Sequence, residues 1–501
     1  MRTKKAFKNL VFNLVQQVIG IVTSFILPPL IIGKFGSAMN GLIATIKQIV
    51  SYAQLSGAGI ASASTYAMYE PVAKQDHKLL SGIYNATGKM FVKAGNIFTI
   101  TILVISMVYP FFVGNSISNM TVFLLVLIVG ISGISEFYIF GKYQSLLNAN
   151  QQNYMIALAQ TIGNIFNIVI TVCLIRLDQN IILVQLGASI VYIMRILLLT
   201  WYVKKNYSYL DKMEPARMER LNQRNDAIVH QVAGLVVLSS STIIVSIFCG
   251  LQAASVYAVY ALVFSGLNTI CSIVSNAIYA SFGEVIAKGD KKILNSAYNL
   301  YEWIYFVVIF IIFSTTYLLI MPFIGIYTRT MTDTNYTLPI LGILFVVVGM
   351  ANNLRVPART LVDAAGHFRK TRNRALIEMT INLIGQIVCV SFMGIYGVLV
   401  GCILSYSYRT IDFIHYSNYY ILKIDDRRST KRFILNLFVA VVSVFVLQMT
   451  LDITANSYFE WAIYGVFITI VITLVYMMVQ FLVERETMKE MISVVKNMFK
   501  K

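Results

Sequence analysis

The sequence predicts an all-α polytopic membrane protein: fourteen transmembrane helices, as two six-helix repeats plus two C-terminal helices. Three observations carry that prediction. Of 501 residues, 57% are hydrophobic and 12% charged, with a mean hydropathy of +0.72, a composition typical of multi-span membrane proteins. Apolar runs of about 20 residues, the length that crosses a ~30 Å hydrocarbon layer, recur throughout the chain. Finally, the chain repeats itself at an offset of 214 residues. Ala73 to Leu80 (AKQDHKLL) reappears as Ala287 to Leu294 (AKGDKKIL), and Tyr84-Asn85 as Tyr298-Asn299. Without a gap, that offset also carries Gln17 onto Gln231, Gly20 onto Gly234, Gly36 onto Gly250, Glu70 onto Glu284, Gly187 onto Gly401, Tyr192 onto Tyr406 and Arg195 onto Arg409.

The spans fall at about 8–33, 42–68, 89–113, 120–141, 153–175, 181–203, 228–250, 254–283, 298–324, 337–362, 375–394, 396–420, 433–451 and 459–483. The first apolar stretch is too long for a signal-peptide core and no small-x-small cleavage site follows it, so it is expected to remain as helix 1. Alternate loops collect 32 of the 40 Lys and Arg residues, whereas the opposite loops hold only Lys34, Arg176 and Arg329. By the positive-inside rule both termini are expected in the cytoplasm, with the chain in the cell (cytoplasmic) membrane. The formal charge of +18 then needs no nucleic-acid partner, because topology bias and attraction to anionic membrane lipids account for it.

The expected organisation is an N-lobe at 1–203 (helices 1–6), a cytoplasmic linker at 204–227, a C-lobe at 228–422 (helices 7–12), helices 13–14 at 423–484 and a cytoplasmic tail at 485–501. The run Met213 to Gln223 is a candidate interfacial helix, and Glu484 to Lys501 a candidate amphipathic one. An even number of helices per repeat makes the repeats parallel, and such paired bundles are the architecture of alternating-access transporters, with substrate in a cleft between them.

Ionisable residues inside spans cost at least ~2.5 kcal/mol each near the bilayer centre, so they mark candidate sites. Five are basic: Lys47, Arg195, Arg355, Arg359 and Arg409. Arg195 and Arg409 are related by the repeat and each follows a tyrosine at i−3, which predicts that they approach one cleft from two sides. Arg355 and Arg359, four apart, are expected on one helix face with Asn352 and Asp363. Planar guanidinium groups suit phosphate oxygens; internal pairing to Asp363, Glu378 and Asp412 is the structural alternative. Lys47 heads a polar stripe through Gln48, Ser51, Gln54, Ala58 and Ser62, matched on helix 1 by Asn13, Gln16, Gln17, Gly20 and Ser24. The acids Glu136, Glu378 and Asp412 are candidates for ion coupling; Glu136, Glu302 and Glu378 are expected near cytoplasmic ends, within reach of water. Glu70 and Glu284 read as structural ion pairs.

Other chemistries find no support. The five cysteines show no CxxC or CxH spacing and the four histidines form no cluster, so neither metal nor cofactor is expected. There is no G-x-x-x-x-G-K-[ST] run for ATP, which leaves an ion gradient, the membrane potential or product removal as the energy source. A net-basic cleft should carry an anion. A membrane enzyme such as a polysaccharide polymerase or O-acyltransferase would need a catalytic constellation, and the external loops are short and chemically plain.

The 6+6+2 pattern, the amino-terminal Lys/Arg cluster and the stretch from Asn40-Gly41-Leu42 through Leu55-Ser56-Gly57-Ala58-Gly59-Ile60-Ala61-Ser62-Ala63 into Lys74 resemble the polysaccharide flippases of the multidrug/oligosaccharidyl-lipid/polysaccharide exporter (MOP) superfamily. The likeness is to Wzx-type proteins and covers essentially the whole chain. It implies a MATE/MOP-like fold without enzymatic activity. It also implies a flippase that moves undecaprenyl-diphosphate oligosaccharide from the inner to the outer leaflet, for capsule, exopolysaccharide or O-antigen assembly. A polysaccharide polymerase and glycosyltransferases would be its partners, and the five cations would bind the diphosphate. The alternative branch is the lipid II flippases, of the same architecture; drug/cation antiporters usually have twelve helices and an acidic site.

Overall fold

The computed structural model describes residues 2–113, 117–221, 225–288 and 290–499. Among these, every regular element is a helix, and packing divides the chain into two compact units, Met1–Val259 and Tyr260–Lys501. The first unit contains α1 (Arg2–Phe35), α2 (Ser37–Ala53), α3 (Ile60–Lys74), α4 (His77–Val108), α5 (Asn119–Ser135), α6 (Gly141–Ala149), α7 (Asn153–Arg176), α8 (Ile181–Asn206) and the start of α9 (Asn225–Lys288). The second contains the rest of α9, then α10 (Lys291–Tyr327), α11 (Pro339–Leu354), α12 (Val356–Ala364), α13 (Phe368–Met393), α14 (Ile395–Tyr416), α15 (Arg427–Thr450), α16 (Tyr458–Val483) and α17 (Arg485–Phe499).

Eleven segments among the described residues are long and apolar enough to cross a membrane, so the chain is a multi-pass membrane protein. The other expected spans are helical but interrupted or polar. The span expected at 42–68 is split into α2 and α3 by a 3-10 turn at Gln54–Gly57 and by Gly59 at φ 78°. Gly59 reaches that left-handed conformation without a Cβ penalty. The spans expected at 228–250 and 254–283 run on as α9, kinked at Gly250 with φ 86°. Helix α14 carries Arg409 and Asp412 among its tyrosines and serines.

The 214-residue repeat is written into the backbone. Gly36 (φ 82°, ψ 166°) and its counterpart Gly250 (φ 86°, ψ 172°) make the same turn between successive helices. Asp76 caps α4 by accepting from Leu79 N at 2.9 Å, and Asp290 caps α10 by accepting from Lys292 N and Ile293 N at 3.0 and 3.1 Å. Both carboxylates satisfy amides that a helix start leaves unpaired.

The linker differs from expectation. Among the described residues of 213–223 the only helical piece is a 3-10 turn at Met218–Arg220. The rest straps α4: Asp211 N donates to Ser81 Oγ at 3.0 Å, Arg217 N to Gly82 O at 3.1 Å, and Asn85 Nδ2 to Asp211 O and Glu214 O at 3.0 and 2.9 Å. The compact units divide inside α9 because its first part packs on α2. Tyr52 Oη donates to Val236 O at 3.1 Å, and Asn40 Nδ2 to Ser255 Oγ at 2.8 Å. The tail helix forms as α17, where Ser296 Oγ donates to Glu490 Oε1.

At this α2–α9 crossing, a Cβ on Gly41 would strike the Leu251 carbonyl and lie 2.9 Å from Ser255 N. Backbone atoms cannot yield as a side chain can. Gly41→Val should therefore cost roughly 1–3 kcal/mol, as overpacking does, measured as a lowered Tm in detergent. Gly33→Val, with nothing within 4 Å of its Cβ, should leave Tm unchanged.

Candidate anion site

The five basic candidates separate by what surrounds them. In the first unit, Arg195 projects from α8 onto α7, where Nη2 donates to Asn164 Oδ1 at 2.7 Å. Gly163 makes the room: a Cβ there would sit 2.5 Å from Arg195 Nε. The guanidinium lies 5.3 Å from the Tyr192 ring centroid, one turn back on the same helix, a cation–π contact. Its Nε is buried and has no acceptor. Glu136 opens a five-residue π-helical turn, Glu136–Phe140, between α5 and α6. The turn packs against α8, the helix that carries Arg195, and no ion pair joins Glu136 to Arg195. The turn is held by Phe137, which packs where Gly57 and Gly95 lack side chains, and by Tyr138 Oη donating to Asn96 Oδ1 at 2.6 Å. Such π-turns widen a helix and re-aim its side chains. Lys47 on α2 is exposed, and among the described residues its ammonium meets neither carboxylate nor hydrogen-bond acceptor.

In the second unit the cations are matched by acids. Arg355 Nη1 pairs with Glu378 Oε1, and its Nη2 donates to Asn352 Oδ1 at 2.7 Å. Arg409 pairs through Nε with Glu378 Oε2 at 3.2 Å and through Nη1 with Asp412 Oδ2 at 2.5 Å. Arg374 closes the row on Asp412 Oδ1. Aromatic faces cover the guanidiniums: Tyr406 lies 4.7 Å from Arg355 and Phe413 3.8 Å from Arg409. Arg359, 57% exposed, bonds Asp363 Oδ2 at 3.3 Å.

Several expectations are corrected here. Arg355 and Arg359 do not share an environment, because the helix is interrupted at Arg355, with Pro357 at the start of α12; Arg355 is buried and Arg359 exposed. Glu378 and Glu302 are buried rather than water-reached, since each is enclosed by arginines. Arg195 and Arg409, equivalent in the repeat, have unlike partners: an amide for the first, two carboxylates for the second. Among the acids, Glu378 and Asp412 are saturated while Glu136 is not. Glu70 pairs with Lys74 at 2.9 Å as expected; the side chain of Glu284 lies outside the described residues.

Sequence reasoning missed two arginines. Arg374, treated as a loop cation, sits four residues before Glu378 on α13, a spacing that signals a shared face. Arg432, counted only toward topology, bonds Glu484 twice at 2.7 Å, Glu302 Oε2 at 3.0 Å, and Asn299 O and Oδ1 at 3.0 and 2.8 Å. It fastens α15 to α10 and to the end of α16. Asn299, the repeat counterpart of Asn85, thus binds the segment after α14 as Asn85 binds the segment after α8.

No protein-family model and no curated protein matches the sequence. Solved structures do. The lipid II flippase MurJ, in an inward closed conformation, superposes with a TM-score of 0.63 over 94% of this chain and 99% of its own, at 15% identity. An inward-facing multidrug resistance MATE transporter of the MOP superfamily also scores 0.63, over 83% of this chain and 97% of its own, at 14% identity. The fold is that of the MATE/MOP transporters. The eukaryotic MATE transporter AtDTX14 agrees, with a TM-score of 0.56 over 86% of this chain and 98% of its own, at 13% identity.

Proposed function

We propose that this MATE/MOP-fold protein is a flippase for an undecaprenyl-diphosphate-linked oligosaccharide, moving it from the inner to the outer leaflet of the cytoplasmic membrane for capsule, exopolysaccharide or O-antigen assembly. Polymerase and glycosyltransferases would act on either side of it. The observation that carries this reading is the uncompensated charge of the first unit. Lys47 and Arg195 stand on apolar helices with no carboxylate at ion-pair distance. Cations left unpaired in a membrane protein favour an anionic ligand, and Arg195 offers an unsatisfied N–H suited to a phosphate oxygen.

The extent of the structural match favours a lipid-linked cargo. MurJ matches 94% of this chain; the remainder is too short to omit both α15 and α16, of 24 and 26 residues. The same observation favours lipid II as the second reading. In proteoliposomes containing the full-length protein, labelled undecaprenyl-diphosphate oligosaccharide should cross between leaflets, and lipid II should cross more slowly. The reverse order would establish the second reading, and movement of neither would refute both. Arg195→Ala should slow transport about tenfold or more, the worth of a charge-assisted hydrogen bond, with little change in Tm.

A further inference from the structure

Within the spans, Glu302, Glu378 and Asp412 are each held by arginine, but Glu136 is not. Among the described residues, its carboxylate has no hydrogen bond and no ion pair, although α8, whose Arg195 has a free buried Nε–H, packs against the turn that Glu136 opens. A buried donor without an acceptor is unfavourable, and here the Arg195 guanidinium bonds Asn164 through Nη2 while its Nε–H stays unpaired. Two groups that could neutralise one another form no ion pair: Glu136 opens the π-turn, and Arg195 lies against Gly163 and bonds Asn164.

We infer that Glu136 and Arg195 form a proton-dependent site for a diphosphate oxygen. This deepens the flippase reading and rests on it. In the site, Glu136 takes one proton from water; its O–H and the Arg195 Nε–H then both donate to the oxygens of the diphosphate. Release of the anion returns the proton to water, and only the carboxyl O–H bond forms or breaks. An ionised Glu136 would repel the phosphate and compete with it for Arg195, so the carboxyl group decides whether the arginine is available.

Charged groups on the elements packed against this turn do not replace Arg195 in that role. Lys142 of α6 is held between the rings of Tyr84 on α4 and Tyr143, at 5.8 and 5.4 Å; Lys89 and Lys93 of α4 are exposed; and Tyr192 of α8 stacks on Arg195 itself.

The probe is P1,P2-dimethyl diphosphate, a diester like the proposed cargo, with no titration of its own near neutrality. It would be titrated calorimetrically into the detergent-purified full chain, in buffers of different ionisation enthalpy. The native protein should take up about one proton per diester bound where Glu136 is ionised, and its affinity should fall about tenfold per pH unit there. Glu136→Gln, which keeps a donor at the same place, should bind with no proton uptake and a flat pH profile. Arg195→Ala should bind at least about tenfold more weakly at every pH.

Binding by the native protein without proton uptake, or uptake that persists in Glu136→Gln, would overturn the role of Glu136 while leaving the anion-carrier reading standing. Absence of diester binding at every pH would overturn the site. Failure of the flippase reading would appear separately, as native protein that moves no lipid-linked diphosphate in proteoliposomes.

Discussion

Arg432→Ala lowers stability by about 3–5 kcal/mol, the cost of removing one partner from a buried ion pair. All five guanidinium N–H groups are used: on Glu484, Glu302 and both oxygens of Asn299. Arg432 and Glu302 are almost wholly buried, so the carboxylate left behind has no access to water. Ser429, which donates to Glu302 Oε1 at 2.6 Å, and Arg428, whose Nε stays 3.9 Å from Glu302 Oε2, cannot replace the 3.0 Å contact that is lost. The measurement is the Tm of the full chain in detergent. Arg432→Lys should recover little, because an ammonium cannot span the acceptors on α10 and at the end of α16 at once. Combining Arg432→Met with Glu302→Gln should recover part of the loss, since the most deeply buried carboxylate is then neutral.

The same cluster confers acid sensitivity. Burial raises the Glu484 carboxyl pKa, but the hydrogen bonds and charge of Arg432 outweigh it and leave the group below its ordinary range. A lowered folded-state value contributes stability above the ordinary carboxylate pKa that disappears as pH falls through the folded one.

Arg409→Ala is the second large effect, also about 3–5 kcal/mol. This guanidinium, 1% exposed, bridges Glu378 on α13 to Asp412 on its own helix; without it, two buried carboxylates each keep a single arginine. The expected result is a large fall in Tm and in the yield of folded protein. That sets it apart from its repeat counterpart: Arg195→Ala removes a cation bonded to a neutral amide, breaks no ion pair, and should reduce transport with little change in Tm. If the two variants lose equal stability and equal transport, the division between a structural and a functional arginine fails.

Much of the fold was legible in the chain because it depends on local rules. Apolar length marks membrane spans, and the 214-residue offset located equivalent positions whose backbones do repeat, as Gly36 with Gly250 and Asp76 with Asp290 show. Within the Asn40 to Lys74 stretch on which the resemblance partly rests, Gln54 to Gly59 is the break between α2 and α3. Its glycines were visible, but the aromatic ring of Phe137 that fills the space beside Gly57 was not. The candidate site was legible as a set of residue types and only partly as roles.

By itself, the sequence determined the apolar helices, the internal repeat and the five basic residues expected in the spans, because apolar length and residue identity are written in the chain. The tertiary structure decided which of those charges are already neutralised. The counter-charges of Arg355, Arg409 and Arg432 include groups on other helices, up to 130 residues away, and Glu136, on a π-turn that no spacing announces, forms no ion pair with Arg195. Long-range electrostatics depends on distances that only packing sets.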